Sequence, residues 1–120
     1  MKKILIIEDE QILAEMYQDT FFQAGFEVSS AFTCEEGLEI AKKEKPDLIL
    51  LDILLPKESG IVFLWRLKEN PQMSKIPVVA FSNYDDQKTK QEAMKLGIKA
   101  YLLKANFTPK ELLEKVKEYL

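Results

Sequence analysis

The stretch PDLILLDILLPKESG, from Pro46 to Gly60, sets a carboxylate, Asp52, between the apolar runs Leu-Ile-Leu-Leu and Ile-Leu-Leu. A buried carboxylate without a partner is expensive, so another part of the chain must make Asp52 tolerable. Side chains suited to that role stand elsewhere in the chain: the acids Glu8, Asp9 and Glu10, the hydroxyl of Ser82, and Lys104. Taken singly, each has a plainer explanation. Acids ahead of a helix are favoured by its dipole, an aspartate or serine often caps a turn, and most lysines are simply solvated. Taken together, they describe a chemistry. Carboxylates about 5 Å apart repel by roughly 3 kcal/mol at an effective dielectric of about 20, and a helix terminus, at about 0.3–1 kcal/mol, does not offset that. A cation does. Oxygen donors suit Mg²⁺, which keeps several waters and is normally completed by phosphate, and a lysine and a hydroxyl nearby would meet the anion.

Such a site requires these residues to share one edge of the fold, and the hydrophobic pattern supplies the elements for it. Lys3 to Ile7 is a continuous β-branched-rich run, followed by Ile12, Leu13, Met16, Tyr17, Phe21 and Ala24 at helical spacing, with Gly25 as the stop. Phe26 to Ser30 reads as a second strand, and Thr33 with Glu36 has the spacing of a capping box for a helix ending near Lys43. Asp47 to Leu51 is a third strand, Ser59 to Glu69 a helix halted by Asn70-Pro71, and Pro77 to Phe81 a fourth strand. Asp85 to Leu96 is a helix stopped by Gly97, Lys99 to Leu103 a fifth strand, and Thr108-Pro109-Lys110-Glu111 opens a last helix to Tyr119. Strands apolar on both faces, alternating with helices, mean a three-layer α/β domain with a doubly wound, five-stranded parallel sheet. Right-handed crossovers leave a flavodoxin-like order, 2-1-3-4-5, or a Rossmann-like order. In either, ligands sit beyond the carboxyl ends of the strands, where Glu8, Asp9, Glu10, Asp52, Ser82 and Lys104 all fall.

Composition excludes much else. At 120 residues the chain reads as one domain, spanning 1–120, long enough to bury about two-thirds of its unfolded surface. Its 17 basic and 20 acidic residues give a net charge of −3 with no dominant basic run, which argues against nucleic acid or an anionic membrane as partner. One cysteine, Cys34, and no histidine remove an internal disulfide, Cys-based zinc and the histidine-dependent nucleophile triads. The opening MKKILIIEDE is too short in apolar residues for a signal segment, so a cytoplasmic location is expected. The four glycines, at 25, 37, 60 and 97, supply neither a dinucleotide nor a nucleoside-triphosphate loop. Acids after the first strand would repel a flavin phosphate. A phosphatase of the haloacid dehalogenase type would carry a second aspartate two positions after the first, where this chain has Leu54.

The motifs IIEDE, PDLILLDILLPKESG, VVAFSN and AYLLK, in that order at the right strand ends, resemble those of the receiver domain of bacterial two-component response regulators, the CheY-like fold, from Lys3 to the last helix. The resemblance implies the flavodoxin-like strand order and a signalling phosphoacceptor rather than an enzyme. It implies that Asp52 accepts a phosphoryl group from the histidine of a sensor kinase or phosphotransfer protein. Mg²⁺ would be held by Asp9, Asp52 and the backbone carbonyl of Leu54, with Glu8 acting through a water. Lys104 would pair with the phosphoryl oxygens, Ser82 would hydrogen-bond them, and Tyr101 would move with Ser82 as the switch. A downstream effector protein or output domain, or a homodimer, would read the change.

Two residues depart from the family pattern. Ala105 stands where proline, joined by a cis bond, is usual; without proline a cis bond costs about 3–4 kcal/mol, so a trans bond is expected. Asn83 replaces a usually small residue after Ser82, narrowing access to the site and predicting slower loss of phosphate. In the third helix Val62, Phe63 and Trp65 cannot all face the sheet, so one is expected to be exposed. A rival reading, an interaction module on this fold that is never phosphorylated, has the intact set Glu8, Asp9, Asp52, Ser82 and Lys104 against it. No stretch after Tyr101 reads as a DNA-binding helix-turn-helix, so output is expected through protein contacts.

Overall fold

The computed structural model describes residues 1–120. Five strands, β1 (Lys3–Ile7), β2 (Glu27–Ala31), β3 (Leu48–Leu51), β4 (Val78–Ser82) and β5 (Ala100–Leu103), alternate with helices α1 (Gln11–Gln23), α2 (Cys34–Glu44), α3 (Gly60–Glu69), α4 (Gln87–Lys95) and α5 (Pro109–Lys117). All strands pair in parallel in the order β2-β1-β3-β4-β5, so the flavodoxin-like order holds and the Rossmann-like one does not.

Pleating sorts the central strands onto two cores, because successive side chains point to opposite faces. Leu5, Ile7, Ile49, Leu51, Val78 and Ala80 pack with Ala41 of α2, Phe63, Leu64 and Leu67 of α3, and Ala93 of α4. Ile4, Ile6, Leu48, Leu50, Val79, Phe81 and Leu102 pack with Tyr17 and Phe21 of α1 and Leu112, Leu113 and Val116 of α5. Two apolar faces covered by helices are what the unbroken runs in β1, β3 and β4 require. Edge strand β2 is only partly buried, and its polar Ser29 and Ser30 reflect that place.

Helix ends follow local chemistry. Gly25 and Gly97 take positive φ, 96° and 88°, and end their helices as expected. At α5 the Thr108 hydroxyl accepts from the Glu111 N–H while the Glu111 carboxylate accepts from the Thr108 N–H, a complete capping box. At α2 only half of the expected box forms: Thr33 accepts from the Glu36 N–H, but the Glu36 carboxylate reaches one residue further back, to the Phe32 N–H.

The expected buried face of α1 needs correction. Tyr17 and Phe21 are buried together with Ala14, but Ile12 is 82% exposed and Met16 38% exposed. The helix packs its narrow Ala14–Tyr17–Phe21 stripe on the sheet, and the extra apolar residues lie beside it. In α3, Phe63 is buried and Trp65 is the exposed aromatic.

Candidate functional site

Glu8, Asp9, Glu10, Asp52, Ser82 and Lys104 each follow or end a strand at one edge of the sheet, and Tyr101 lies within β5. Glu8 continues β1, Asp52 follows β3, Ser82 is the last residue of β4, and Lys104 follows β5 as the first residue of a one-turn 3₁₀ segment, Lys104–Asn106. Because β1, β3, β4 and β5 are neighbours in parallel, their ends bring residues up to 96 positions apart into contact.

Lys104 is the centre of the arrangement. Its ammonium donates to Glu8 Oε1 and, at 3.0 Å, to Asp52 Oδ2. Glu8 is fully buried, Asp52 is 4% exposed and the lysine side chain 9% exposed. The remaining carboxylate oxygens are also served: Glu8 Oε2 accepts from the Glu10 N–H at 3.1 Å and Asp52 Oδ1 from the Leu54 N–H at 3.1 Å. No buried side-chain polar atom lacks a partner. This is how the apolar run tolerates Asp52: the charge lies just past the strand, facing a lysine, with both oxygens bonded.

An aromatic shelf supports the lysine. The Phe81 ring lies 5.0 Å from the ammonium, and Tyr17 meets Phe81 edge-on with centroids 5.1 Å apart. Cation–π attraction adds roughly 0.5–1 kcal/mol at exposed sites and about 2 kcal/mol when desolvated. Neither aromatic was singled out for the site from the sequence, since their role depends on β4 and α1 meeting beneath residue 104.

Burial pushes the Glu8 carboxyl up to about 6, against the opposing pull of its hydrogen bond to Lys104. Burial alone would lower the Lys104 value; the hydrogen bond it donates to Glu8 and the charge of Asp52 outweigh it, so the ammonium is held above its usual range. The lysine therefore stays charged in the fold.

Asp9 is exposed, yet one oxygen of its carboxylate lies within 4.8 Å of one oxygen each from Glu8 and Asp52, which are equally close to each other. Three carboxylates at that spacing, all oxygen donors, fit a hard divalent cation such as Mg²⁺.

Across the sheet edge, Ser82 Oγ accepts from the Tyr84 N–H at 3.1 Å, and the Tyr101 hydroxyl donates to the Tyr84 carbonyl at 2.6 Å. Ser82 is buried and Tyr101 half-buried, with the Lys90 ammonium 5.7 Å from the Tyr101 ring. Asn83 accepts through Oδ1 from the Ala105 N–H at 3.1 Å. No peptide bond is cis, so the Lys104–Ala105 bond is trans as expected.

The loop after Asp52 is fixed from several sides. Gly60 donates to the Ile53 carbonyl at 2.8 Å, and a Cβ on Gly60 would come within 2.8 Å of the Asp52 carbonyl oxygen and 2.9 Å of Ile53 Cα. Only glycine lets α3 start that close to the strand end. The buried Cys34 thiol donates to the carbonyls of Glu58 and Ser59, and Arg66 holds Glu58 through two bonds of 2.9 Å. Lys57 sits at φ 68° with the Glu58 N–H on the Pro56 carbonyl at 2.7 Å, a tight γ-turn.

Comparison with known proteins agrees with this geometry. The family model of the response regulator receiver domain matches residues 4–117. The chain is 35% identical over 119 residues to the alkaline phosphatase synthesis transcriptional regulatory protein PhoP of Bacillus subtilis, covering 99% of this chain but 48% of that protein, so it spans about half the length of this relative. It is 30% identical over 119 residues to the polar-differentiation response regulator DivK of Brucella anthropi, covering 99% of this chain and 96% of that one. The structure of the chemotaxis response regulator CheY4 of Vibrio cholerae superposes with a TM-score of 0.91 at 28% identity, covering 100% of this chain and 99% of that one.

Proposed function

Because the chain belongs to the receiver domain family of two-component response regulators, we propose that Asp52 is its phosphoacceptor and that residues 1–120 act as one receiver unit. The observation that carries the reading is the Lys104 ammonium shared between the buried carboxylates of Glu8 and Asp52 at the strand ends.

In the transfer, an Asp52 carboxylate oxygen attacks the phosphorus of a phosphohistidine in line. The phosphorus–nitrogen bond breaks, the imidazole leaves, and Asp52 becomes an acyl phosphate. Little covalent work is asked of the protein, so positioning and charge neutralisation dominate. Lys104, already on Asp52 Oδ2, moves with the charge onto a phosphoryl oxygen, and Ser82 turns its hydroxyl to donate to another. That turn releases the Tyr84 N–H, and Tyr101, bonded to the Tyr84 carbonyl, shifts with it. Asp9, Asp52 and the Leu54 carbonyl would hold Mg²⁺, with Glu8 acting through a water. The ion would supply charge neutralisation at the transferring group.

Family membership makes the chain a signalling module. For its partners we take a sensor histidine kinase or phosphotransfer protein on the input side and a protein effector or output domain on the other, with a homodimer as one form of output. We also assign it to the cytoplasm; no helix is long and apolar enough to cross a membrane. The intact set Glu8, Asp9, Asp52, Ser82 and Lys104 weighs against a module that is never phosphorylated.

Incubation with acetyl phosphate and Mg²⁺ tests the reading. Mass spectrometry should show one added phosphoryl group, absent after chelation and absent in Asp52→Asn. Equal labelling of Asp52→Asn would sink the assignment.

A further inference from the structure

Lys104 is referenced to β4 twice. Its ammonium lies over Phe81, and the residue after it, Ala105, gives its backbone N–H to Asn83 Oδ1 at 3.1 Å. Phe81 lies within β4 and Asn83 is the first residue past its end, so both contacts hold the Lys104 segment against the end of β4. The donor at Ala105 is a backbone N–H, so only the oxygen of the Asn83 amide can complete the bond. Between the end of β5 and the Thr108 cap of α5, the segment 104–107 has one backbone bond of its own, from the Phe107 N–H to the Lys104 carbonyl at 3.3 Å. The Asn83 amide is its side-chain tie to the neighbouring strand end.

We propose that Asn83 is a positioning residue for phosphoryl transfer: its bond to the Ala105 N–H fixes the backbone from which Lys104 reaches Asp52, and ties that backbone to the end of β4, which carries Ser82. This rests on the reading of Asp52 as phosphoacceptor and Lys104 as the cation that follows the phosphoryl charge. It gives Asn83 a function that access to the site does not: Ser82 and Lys104 must approach the same phosphoryl group, and the Asn83–Ala105 bond makes the end of β4 and the Lys104 segment move as one. Asn83 and Ala105 are both exposed, so the bond contributes geometry more than stability.

Asn83→Leu keeps the shape of the side chain and removes the acceptor, whereas Asn83→Asp retains an acceptor. In Asn83→Leu the Ala105 amide should exchange faster with solvent by NMR, and in Asn83→Asp it should stay protected, with melting temperatures near that of the parent. Phosphorylation by acetyl phosphate should slow in Asn83→Leu by about two- to tenfold, the span that one hydrogen bond corresponds to. In a Lys104→Ala background the same substitution should change the rate no further, because its effect runs through the lysine. A full slowing in that background, or an Asn83→Leu rate equal to the parent's, overturns the positioning role. A parent protein that takes no phosphoryl group overturns instead the reading beneath it, while Ala105 exchange still reports whether Asn83 holds the loop.

Discussion

With Glu8 fully buried and Asp52 nearly so, removing the Lys104 charge leaves two carboxylates facing each other without a counter-ion. Breaking a buried pair from one side costs about 3–5 kcal/mol, so Lys104→Met should lower the unfolding free energy in metal-free urea titrations by that order. Mg²⁺ should then raise the variant's midpoint more than the parent's; a variant as stable as the parent without metal would mean the lysine is not neutralising the pair. Glu8 gives a second prediction. Its carboxyl titrates at about 6 in the fold against 4.5 for an ordinary glutamate, so the native state keeps the proton to higher pH than the unfolded chain. The stability tied to that proton is full below about pH 4.5 and is lost as pH rises through about 6, roughly 2 kcal/mol in all. Glu8→Gln carries no such proton. The difference in unfolding free energy between variant and parent should therefore change between pH 4.5 and 6 and be level above, and a flat difference throughout would refute the shift. The acids, Ser82 and Lys104 were legible in the sequence because strand ends collect at one edge. The pairing of Lys104 with Glu8 was not, since nothing in the spacing says which carboxylate a lysine 96 residues away will meet.

At the scale of elements, two substitutions separate folding from site geometry. Thr108→Ala removes a capping oxygen far from Asp52 and should cost about 1 kcal/mol in chemical unfolding while leaving the phosphorylation rate unchanged. Gly60→Ala forces a Cβ against the Asp52 carbonyl and Ile53 Cα, backbone atoms that cannot swing aside. Overpacking of this kind costs about 1–3 kcal/mol, and here it also displaces the strand end that carries Asp52, so both stability and phosphorylation rate should fall. A Gly60→Ala protein that is phosphorylated at the parent rate would show that the start of α3 does not set the Asp52 geometry. Element existence was readable from apolar runs and glycine stops, and strand starts moved by about a residue. The buried face of α1 was not readable: Ile12, Leu13, Met16, Tyr17 and Phe22 put apolar side chains around much of the helix, and only docking on β1, β2 and α5 selects Ala14, Tyr17 and Phe21. The Thr33 box half-failed for a similar reason, because the open N–H of Phe32 at the end of β2 competes for the same carboxylate.

For the molecule as a whole, the question is which part can respond to a charge change at one edge of a rigid sheet. β1 and β3 are central and sealed on both faces, and α3 buries four residues, Gly60, Phe63, Leu64 and Leu67. α4 buries one, Ala93, and lies against edge strand β5. An element with so little buried surface opens or shifts at low cost, whereas moving α3 would breach the core. The bonds from Ser82 to Tyr84 and from Tyr84 to Tyr101 run from the site towards that loosely seated corner, where Lys90 of α4 meets the Tyr101 ring. Beryllofluoride, a phosphoryl mimic, should therefore shift amide NMR signals across Tyr84 to Leu103 more than those of α2, Cys34–Glu44. Tyr101→Ala should weaken the shifts in α4 while leaving labelling of Asp52 nearly intact, because the ring transmits the change but touches neither carboxylate. Shifts confined to the loops around Glu8, Asp52 and Ser82 would mean that the site takes the phosphoryl group without passing the change on through Tyr101.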